Sequence, residues 1–531
     1  VAGEVKAGRP WAGRGWALAA GLAAGFAHPP FGLLAGLLGY ALMLRLVDAP
    51  AARPLRQAFF RGWLSGLGYF AVSVWWVVEP FMVDAKTQGW MAPFGLSFLA
   101  GGLALFWGAA TLAYRAMNPR GFGRVLVFAG CLAGAEWLRG HVLTGFPWDL
   151  PGETWRAGSA PSQAASVVGV YGLSWITLAI ASAPALLFDA RPRRGRALVL
   201  GAALAALGGL YGFGAARLSE ALPIAAGAPR LRVVQANIDQ KEKWRPENLD
   251  QIFATYLELS RRPPSGGAGP ARPDIVVWPE GALPAVIDDL LAPGLPYGSA
   301  LSAALAPGQT LLMGANRAEG GPGGQPRYFN SLIAFRREAS GLRVSGVYDK
   351  HRLVPFGEFM PLAEFATKVG FRSLVHMPDD FTAGPPSRPL IAAGLPPVQP
   401  LICYEALFPG LAREGVVRTK LRPAWILNIS NDAWFGVTSG PLQHLNLASY
   451  RAIEEGLPIV RATPTGVSAV IDAYGRVLPG ARLGLGAFGV IDARLPPALT
   501  PTPYVRWSDS AFAIMMLMSL GALFTDHVRR A

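Results

Sequence analysis

A chain of 531 residues exceeds one ordinary soluble core, so two or more domains are expected. With 52% hydrophobic residues, 15% charged residues and a mean hydropathy of +0.31, it reads as a membrane protein with a soluble part. Its net charge of +14 lies in short basic clusters between apolar runs, without zinc-finger spacing or an RNA-binding signature, so no nucleic-acid partner is expected.

From residue 11 to about 213, apolar runs alternate with short breaks. Seven transmembrane helices are predicted, over 11–27, 31–47, 59–78, 92–116, 125–142, 165–188 and 197–213. Each is near the length of about 20 residues that crosses a hydrocarbon core. His28-Pro29-Pro30 separates the first two, which form either a tilted hairpin or one broken segment. The first reads as a span and not as a cleaved signal peptide, because further spans follow. Small residues such as Gly21, Ala24, Gly25, Gly101 and Gly102 are expected to let helices approach closely. Of the two cysteines, Cys131 lies in the fifth apolar run, which argues against a structural disulfide with Cys403.

Basic residues fall in alternate loops. Lys6, Arg9 and Arg14 lie at the first span. Arg45, Arg53, Arg56 and Arg61 lie between the second and third, and Arg115, Arg120 and Arg124 between the fourth and fifth. Arg191, Arg193, Arg194 and Arg196 lie between the sixth and seventh, and Arg529 and Arg530 at the end. The loops at 28–30, 78–90 and 141–157 are poorer in them. The positive-inside bias then puts the N-terminus in the cytoplasm and the chain outside by about residue 215. An eighth span at 511–524 brings it back. The expected domains are a seven-helix membrane domain (1–217), an extracytoplasmic domain (229–495) and a C-terminal helix with a cytoplasmic tail (508–531).

The middle domain has another texture. Buried strands are predicted at 231–235, 274–278, 310–314 and 424–428, and later strands at 328–335, 341–349, 466–472 and 486–491. Helices are predicted at 249–259 and 442–455, and flexible loops at 263–273 and 319–325. Alternating strands and helices imply an α/β domain with covered sheets.

Val398-Gln399-Pro400-Leu401-Ile402-Cys403-Tyr404-Glu405 reads as an apolar strand ending on a thiol. By residue type alone Cys403 is either a small buried hydrophobe or a presented nucleophile. Trp278-Pro279-Glu280-Gly281 ends another strand on a carboxylate, which is either a loop acid or a base. Tyr348-Asp349-Lys350-His351-Arg352-Leu353-Val354-Pro355-Phe356-Gly357-Glu358 is either a solvated loop or a site segment. If the three converge, Glu280 takes the thiol proton, Lys350 favours the thiolate and stabilises an oxyanion, and Glu358 orients Lys350 or a substrate amine.

The ordered set W-P-E, D-K-x-x-L-V-P-F-G-E and I-C-Y-E resembles the nitrilase superfamily with its Glu-Lys-Cys triad. Asn428-Ile429-Ser430-Asn431-Asp432-Ala433-Trp434-Phe435, Gln443-His444 and Arg451-Ala452-Ile453-Glu454 extend the resemblance. With seven spans before the domain and one after, the architecture resembles the apolipoprotein N-acyltransferase family of bacterial envelopes. One departure is Thr463-Pro464-Thr465-Gly466, where soluble nitrilases commonly carry Asn before Thr-Gly, which puts one pocket wall in doubt.

The resemblance implies an α-helical membrane bundle of about eight helices with an inserted α/β nitrilase-like αββα sandwich. It implies Glu280 as base, Lys350 as electrophilic stabiliser and Cys403 as nucleophile. Trp244, Asn330, Glu358, Tyr404, Glu405 and Trp434 are the implied supporting residues. It implies a phospholipid acyl donor, a thioester on Cys403, and the amine of an S-diacylglyceryl cysteine on an apolipoprotein as acceptor. No metal, nucleotide or other cofactor is implied. A monomer in the bacterial cytoplasmic membrane, with its catalytic domain outside, is expected.

Lipid chemistry has separate support. Phe356, Phe359, Met360, Leu362, Phe365, Val369, Phe371, Leu374, Val375 and Met377 fall in a segment expected to be loop-rich. They pack on their own domain or form an arm dipping into the membrane. Trp244 is similarly a packed ring or an interfacial lid. Glu136, Arg139 and His141, at the fifth span's outer end, meet a lipid headgroup or form an interfacial ion pair. Two rival readings remain at this point: a membrane-tethered nitrilase-type amidase, and a transporter or scaffold carrying an inactive nitrilase domain.

Overall fold

The structure is a computed structural model that describes residues 10–52, 54–189, 192–220, 222–264, 272–321, 324–361 and 380–528. The chain falls into two compact units. One runs up to Glu220 and resumes at Pro503; the other lies between.

The first unit is helical: α1 (Pro10–Phe26), α2 (Leu38–Asp48), α3 (Leu55–Ser73), α4 (Ala92–Met117), α5 (Arg124–His141), α6 (Ala165–Ser182), α7 (Arg193–Ser219) and a C-terminal helix (Ser510–Val528). Each predicted span overlaps a helix, several of them only in part. Among the described residues, three helical stretches are long and apolar enough to cross a membrane: Ala85–Met117, Pro161–Phe188 and Arg193–Ser219. Ser510–Thr525 is a shorter apolar helix. The others fall short for visible reasons. With 11 residues, α2 rises about 16 Å, roughly half of a hydrocarbon core. The break after α1 and a 3-10 turn at Leu34–Leu37 consume the residues expected to extend it. α5 has 18 residues but carries Arg124, Glu136 and Arg139.

Small residues set the closest approach. A Cβ added at Gly21 of α1 would lie 1.7 Å from the Ser65 carbonyl oxygen of α3, so the two backbones touch there. Gly102 does the opposite of what was expected: a Cβ there meets nothing within 4 Å. The C-terminal helix joins the bundle through Ser519, whose Oγ donates to the Leu126 carbonyl at 2.8 Å and accepts from Trp175 Nε1 at 2.9 Å. Glu136 and Arg139 form a fully buried pair, with Arg139 Nε 2.9 Å from Glu136 Oε2 and Trp107 Nε1 donating to Oε1 at 2.5 Å. Arg139 also donates to the Phe146 carbonyl. Of the two readings for these residues, the ion pair is the observed one, buried rather than interfacial. His141 stands apart, exposed and stacked on Trp137.

The second unit has eleven described strands: β1 (Arg230–Gln235), β2 (Ile275–Trp278), β3 (Thr310–Gly320), β4 (Pro326–Glu338), β5 (Gly341–Asp349), β6 (Val398–Ile402), β7 (Trp425–Ile429), β8 (Ile459–Ala462), β9 (Ser468–Ile471), β10 (Val477–Leu483) and β11 (Gly489–Arg494). They form a six-stranded sheet, β11-β1-β2-β3-β4-β5, and a five-stranded sheet, β10-β9-β8-β7-β6. Each contains a parallel run, β1-β2-β3 within the first and β6-β7-β8 at one side of the second, so neighbouring strand ends in each run point the same way.

Alternation along the strands explains the layers. Val233, Val277, Leu312 and Leu332 from one sheet share a core with Ile402, Leu427, Ile429 and Val460 from the other. The intervening Val234, Val276, Trp278 and Leu311 face outward. They pack on Ile252, Phe253 and Tyr256 of α8 (Leu249–Arg261) and Leu301 of α9 (Pro296–Ala304). α10 (Leu411–Thr419) lies against β6, and the almost wholly buried α11 (Gly440–Glu455) against the turns after β6 and β7. Strands buried on both faces lack a polar stripe, which is why they were legible as apolar runs. Two strands were not predicted. β8 has only four residues, and Arg461 interrupts its apolar run. The other is β10. It is an edge strand interrupted by Pro479-Gly480, with a single buried residue, Ala481, and a register shift against β9 between Val477 and Arg482.

Candidate active site

Three strand ends converge. Glu280 follows β2, Lys350 follows β5 and Cys403 follows β6. Glu280 is set close to β3 because Gly314 leaves room: a Cβ there would lie 2.5 Å from the Glu280 Cα and 2.5 Å from the Pro279 carbonyl oxygen. Lys350 is fixed by its backbone N–H, which donates to the Asn330 carbonyl of β4 at 2.8 Å. Cys403 has φ +49°, a left-handed conformation that is strained for any residue but glycine.

The polar network is tight. Lys350 Nζ lies 3.3 Å from Glu280 Oε1 and 2.9 Å from Glu358 Oε1. Asn330 Nδ2 donates to those same two oxygens at 2.7 Å each. The other oxygen of Glu280 accepts from the Asn431 N–H at 2.6 Å, and that of Glu358 from the Val354 N–H at 2.8 Å. Of the two roles expected for Glu358, its contacts match orienting Lys350. Burial opposes the charge on Lys350, but Glu358 and Glu280 outweigh it and hold the ammonium protonated well above its ordinary range.

Cys403 is partly buried, and its charge responds to both Glu280 and Lys350. Burial and the Glu280 carboxylate push its thiol up to about 12, against the opposing pull of Lys350 and a hydrogen bond with Ser430. Lys350 does favour the thiolate, as expected, but burial and Glu280 outweigh it. Two carboxylates already flank the one ammonium, so the local charge does not favour a third anion before a proton has been moved.

Glu405 was expected in the pocket wall. It is fully buried and acts as a tie: Oε1 accepts from Tyr348 Oη and the His351 N–H at 2.9 Å each, and Oε2 accepts from the Ile402 N–H at 2.8 Å. It thus joins the segment holding Lys350 to the residue before Cys403. Tyr404, 7% exposed, meets Phe408 edge-on at 5.0 Å. Trp434 lies half-buried on a short turn, Asp432–Phe435, after β7. Trp244 is half-buried after a four-residue helix, Gln240–Lys243. Pro464 is buried and its carbonyl accepts from the Asn237 N–H at 2.8 Å, which anchors the segment leading to that helix. In the expected apolar arm, Phe356 is 61% exposed and Met360 is buried. Leu362, Phe365, Val369, Phe371, Leu374, Val375 and Met377 lie outside the described residues.

Two groups were missed. Behind Cys403, His444 Nε2 lies 3.3 Å from the Cys403 carbonyl oxygen, and its Nδ1 lies 3.1 Å from Asp432 Oδ1. Arg461 NH2 donates to Asp432 Oδ2 at 2.6 Å. Burial opposes the charge on Asp432, but Arg461 and His444 hold its carboxyl below the usual range. The motif residues were visible in the sequence; their linkage to Cys403 was not. The second missed residue is Lys243. It is 3% exposed, and its Nζ lies 5.6 Å from the Trp244 ring centroid. Burial lowers its ammonium to about 8, against the pull of Glu280.

A buried base, a cation that stays charged and a strained thiol form an arrangement for covalent acyl chemistry. Among the described residues no group of His, Cys, Asp and Glu is arranged to hold a metal ion.

Comparison with known proteins covers both units. A model of the apolipoprotein N-acyltransferase N-terminal domain matches residues 20–183, and a model of carbon-nitrogen hydrolases matches residues 230–503. The sequence is similar to the apolipoprotein N-acyltransferase of Caulobacter vibrioides, with 57% identity over 96% of this chain and 94% of that one. It is 38% identical to that of Brucella melitensis, over 92% and 91% of the two chains. It is also 38% identical to that of Bradyrhizobium diazoefficiens, over 95% and 93%.

Proposed function

The chain belongs to the apolipoprotein N-acyltransferase family, and from that premise we propose that it moves a fatty acyl chain from a membrane phospholipid, through a thioester on Cys403, to the N-terminal amine of an S-diacylglyceryl cysteine on apolipoproteins. It is an acyltransferase of the nitrilase superfamily. The amidase reading is set aside because the similarity runs through the membrane unit as well as the hydrolase-like unit. The single observation that carries the chemistry is the Glu280–Lys350–Glu358 cluster, bridged by Asn330, at the strand end beside Cys403.

In the first step Glu280 takes the proton of the Cys403 thiol as Sγ attacks the ester carbonyl carbon. Lys350 stabilises the oxyanion. The C–O bond breaks, Glu280 returns the proton to the departing alkoxide, and a lysophospholipid leaves. In the second step the acceptor amine attacks the thioester carbon and passes a proton to Glu280. The C–S bond breaks, and the thiolate recovers that proton. Glu358 positions Lys350, Glu405 ties the Lys350 and Cys403 segments together, and Trp244, Tyr404 and Trp434 line the substrate path.

Eight crossings fit the alternation of basic loops, with the N-terminus inside, the catalytic unit on the periplasmic side of the cytoplasmic membrane and the protein acting as a monomer. The direct test is Cys403→Ala in the full chain, assayed for N-acylation of a diacylglyceryl-cysteinyl peptide. Transfer should fall by about four orders of magnitude or more, with thermal unfolding little changed. Transfer at the wild-type rate would remove Cys403 from the mechanism.

A further inference from the structure

The helix Gln240–Lys243 turns two of its four residues inward. Gln240 and Lys243, three apart and so on one face, are 5% and 3% exposed, while Lys241 and Glu242 are exposed. Gln240 is locked to the site: its Oε1 accepts from Asn431 Nδ2 at 3.1 Å, and the Asn431 N–H holds Glu280. Its Nε2 is buried without a hydrogen-bond partner among the described residues. Lys243 Nζ lies against Gly281, the residue after the proposed base, 3.5 Å from where a Cβ would stand. It lies near the Trp244 ring, and the charged group acting on it is Glu280. Lys243 forms no ion pair with Glu280, whose Oε1 accepts from Asn330 and Lys350 and whose Oε2 accepts from the Asn431 N–H.

A buried ammonium and a buried amide N–H with no acceptor are an incomplete arrangement. An anionic group on a substrate would complete it. We propose that Lys243 and Gln240 bind the phosphodiester of the acyl donor, beside the ester that Cys403 attacks; this rests on the acyl-transfer reading above. Two donors on one helix face suit the two unesterified oxygens of a phosphodiester.

The chemistry of the two substrates gives the site a purpose. One nucleophile must meet two lipids in turn. Both carry fatty esters, but only the donor carries a phosphodiester, since the acceptor's diacylglyceryl group is attached through a thioether. A cation at this position selects the donor when Cys403 is free. It also repels an acceptor whose amine is still protonated, and so favours the neutral amine that attacks the thioester.

The test measures acylation of Cys403 in the full chain in detergent micelles, from dioleoyl phosphatidylethanolamine and from p-nitrophenyl palmitate, an acyl donor without phosphate. In Lys243→Met the ratio of the phospholipid rate to the p-nitrophenyl rate should fall about 10- to 100-fold. An unchanged ratio overturns the proposal. If Lys243→Met is inactive with both donors, Lys243→Arg decides: a ratio within about threefold of the wild type supports an anion site, and a collapsed ratio with the cation retained overturns it. Wild-type enzyme that acylates Cys403 from neither donor would instead sink the acyl-transfer reading itself.

Discussion

Cys403 has a strained backbone and an unactivated thiol, and the two features belong together. The left-handed turn places Cys403 directly after β6, while burial and Glu280 hold the proton on its thiol. Such a thiol resists side reactions and couples proton removal to attack. The sign is testable. An acid pushed up to about 12 is protonated throughout the working range, so alkylation of Cys403 by iodoacetamide should rise about tenfold per pH unit between about pH 7 and 10, without a plateau. Glu280→Gln removes a charge that raises the thiol, so its alkylation curve should move to lower pH even as acylation slows roughly 10²- to 10⁴-fold. A plateau near pH 7 in the wild type would contradict this account of the nucleophile. At the same scale, Lys243 shows where sequence reading stops. In Lys241-Glu242-Lys243-Trp244 it looks solvated, and only the helix that starts at the Asp239 cap rotates it inward.

At the scale of elements, the site is made of strand ends held by close backbone contacts. The strands carrying Glu280, Lys350 and Cys403 were legible because buried strands leave short apolar runs that stop at polar residues. Their convergence was not legible, because it depends on two sheets meeting face to face through Val233, Val277, Leu427 and Ile429. β10 escaped for the opposite reason: as a bulged edge strand it has no continuous apolar pattern. Gly314 marks a place where β3 must admit the backbone of Glu280. Gly314→Val should displace that backbone, lower stability by about 1–3 kcal/mol and slow thioester formation more than tenfold. Thermal unfolding and single-turnover acylation measure the two effects. Wild-type acylation in a folded Gly314→Val protein would show that the contact does not position Glu280.

At the scale of the molecule, two units with different solvents share one chain. The helices of the first unit were legible from hydropathy, yet they are less regular than that pattern implies. α2 is cut short after the paired prolines, and α5 carries the Glu136–Arg139 pair, which the bundle satisfies internally. Such pairs lower a helix's apolarity without lowering its fitness for a bundle interior. The catalytic unit gives the covalent chemistry, and the membrane unit accounts for a lipid substrate. The two-step transfer through Cys403 is the claim on which the rest depends. It is tested most directly by mass spectrometry of the purified full chain after incubation with phospholipid alone. The account predicts a fatty-acyl adduct on Cys403 that is discharged by a diacylglyceryl-cysteinyl peptide to give N-acylated peptide. No adduct on Cys403, or an adduct released only to water, would contradict it.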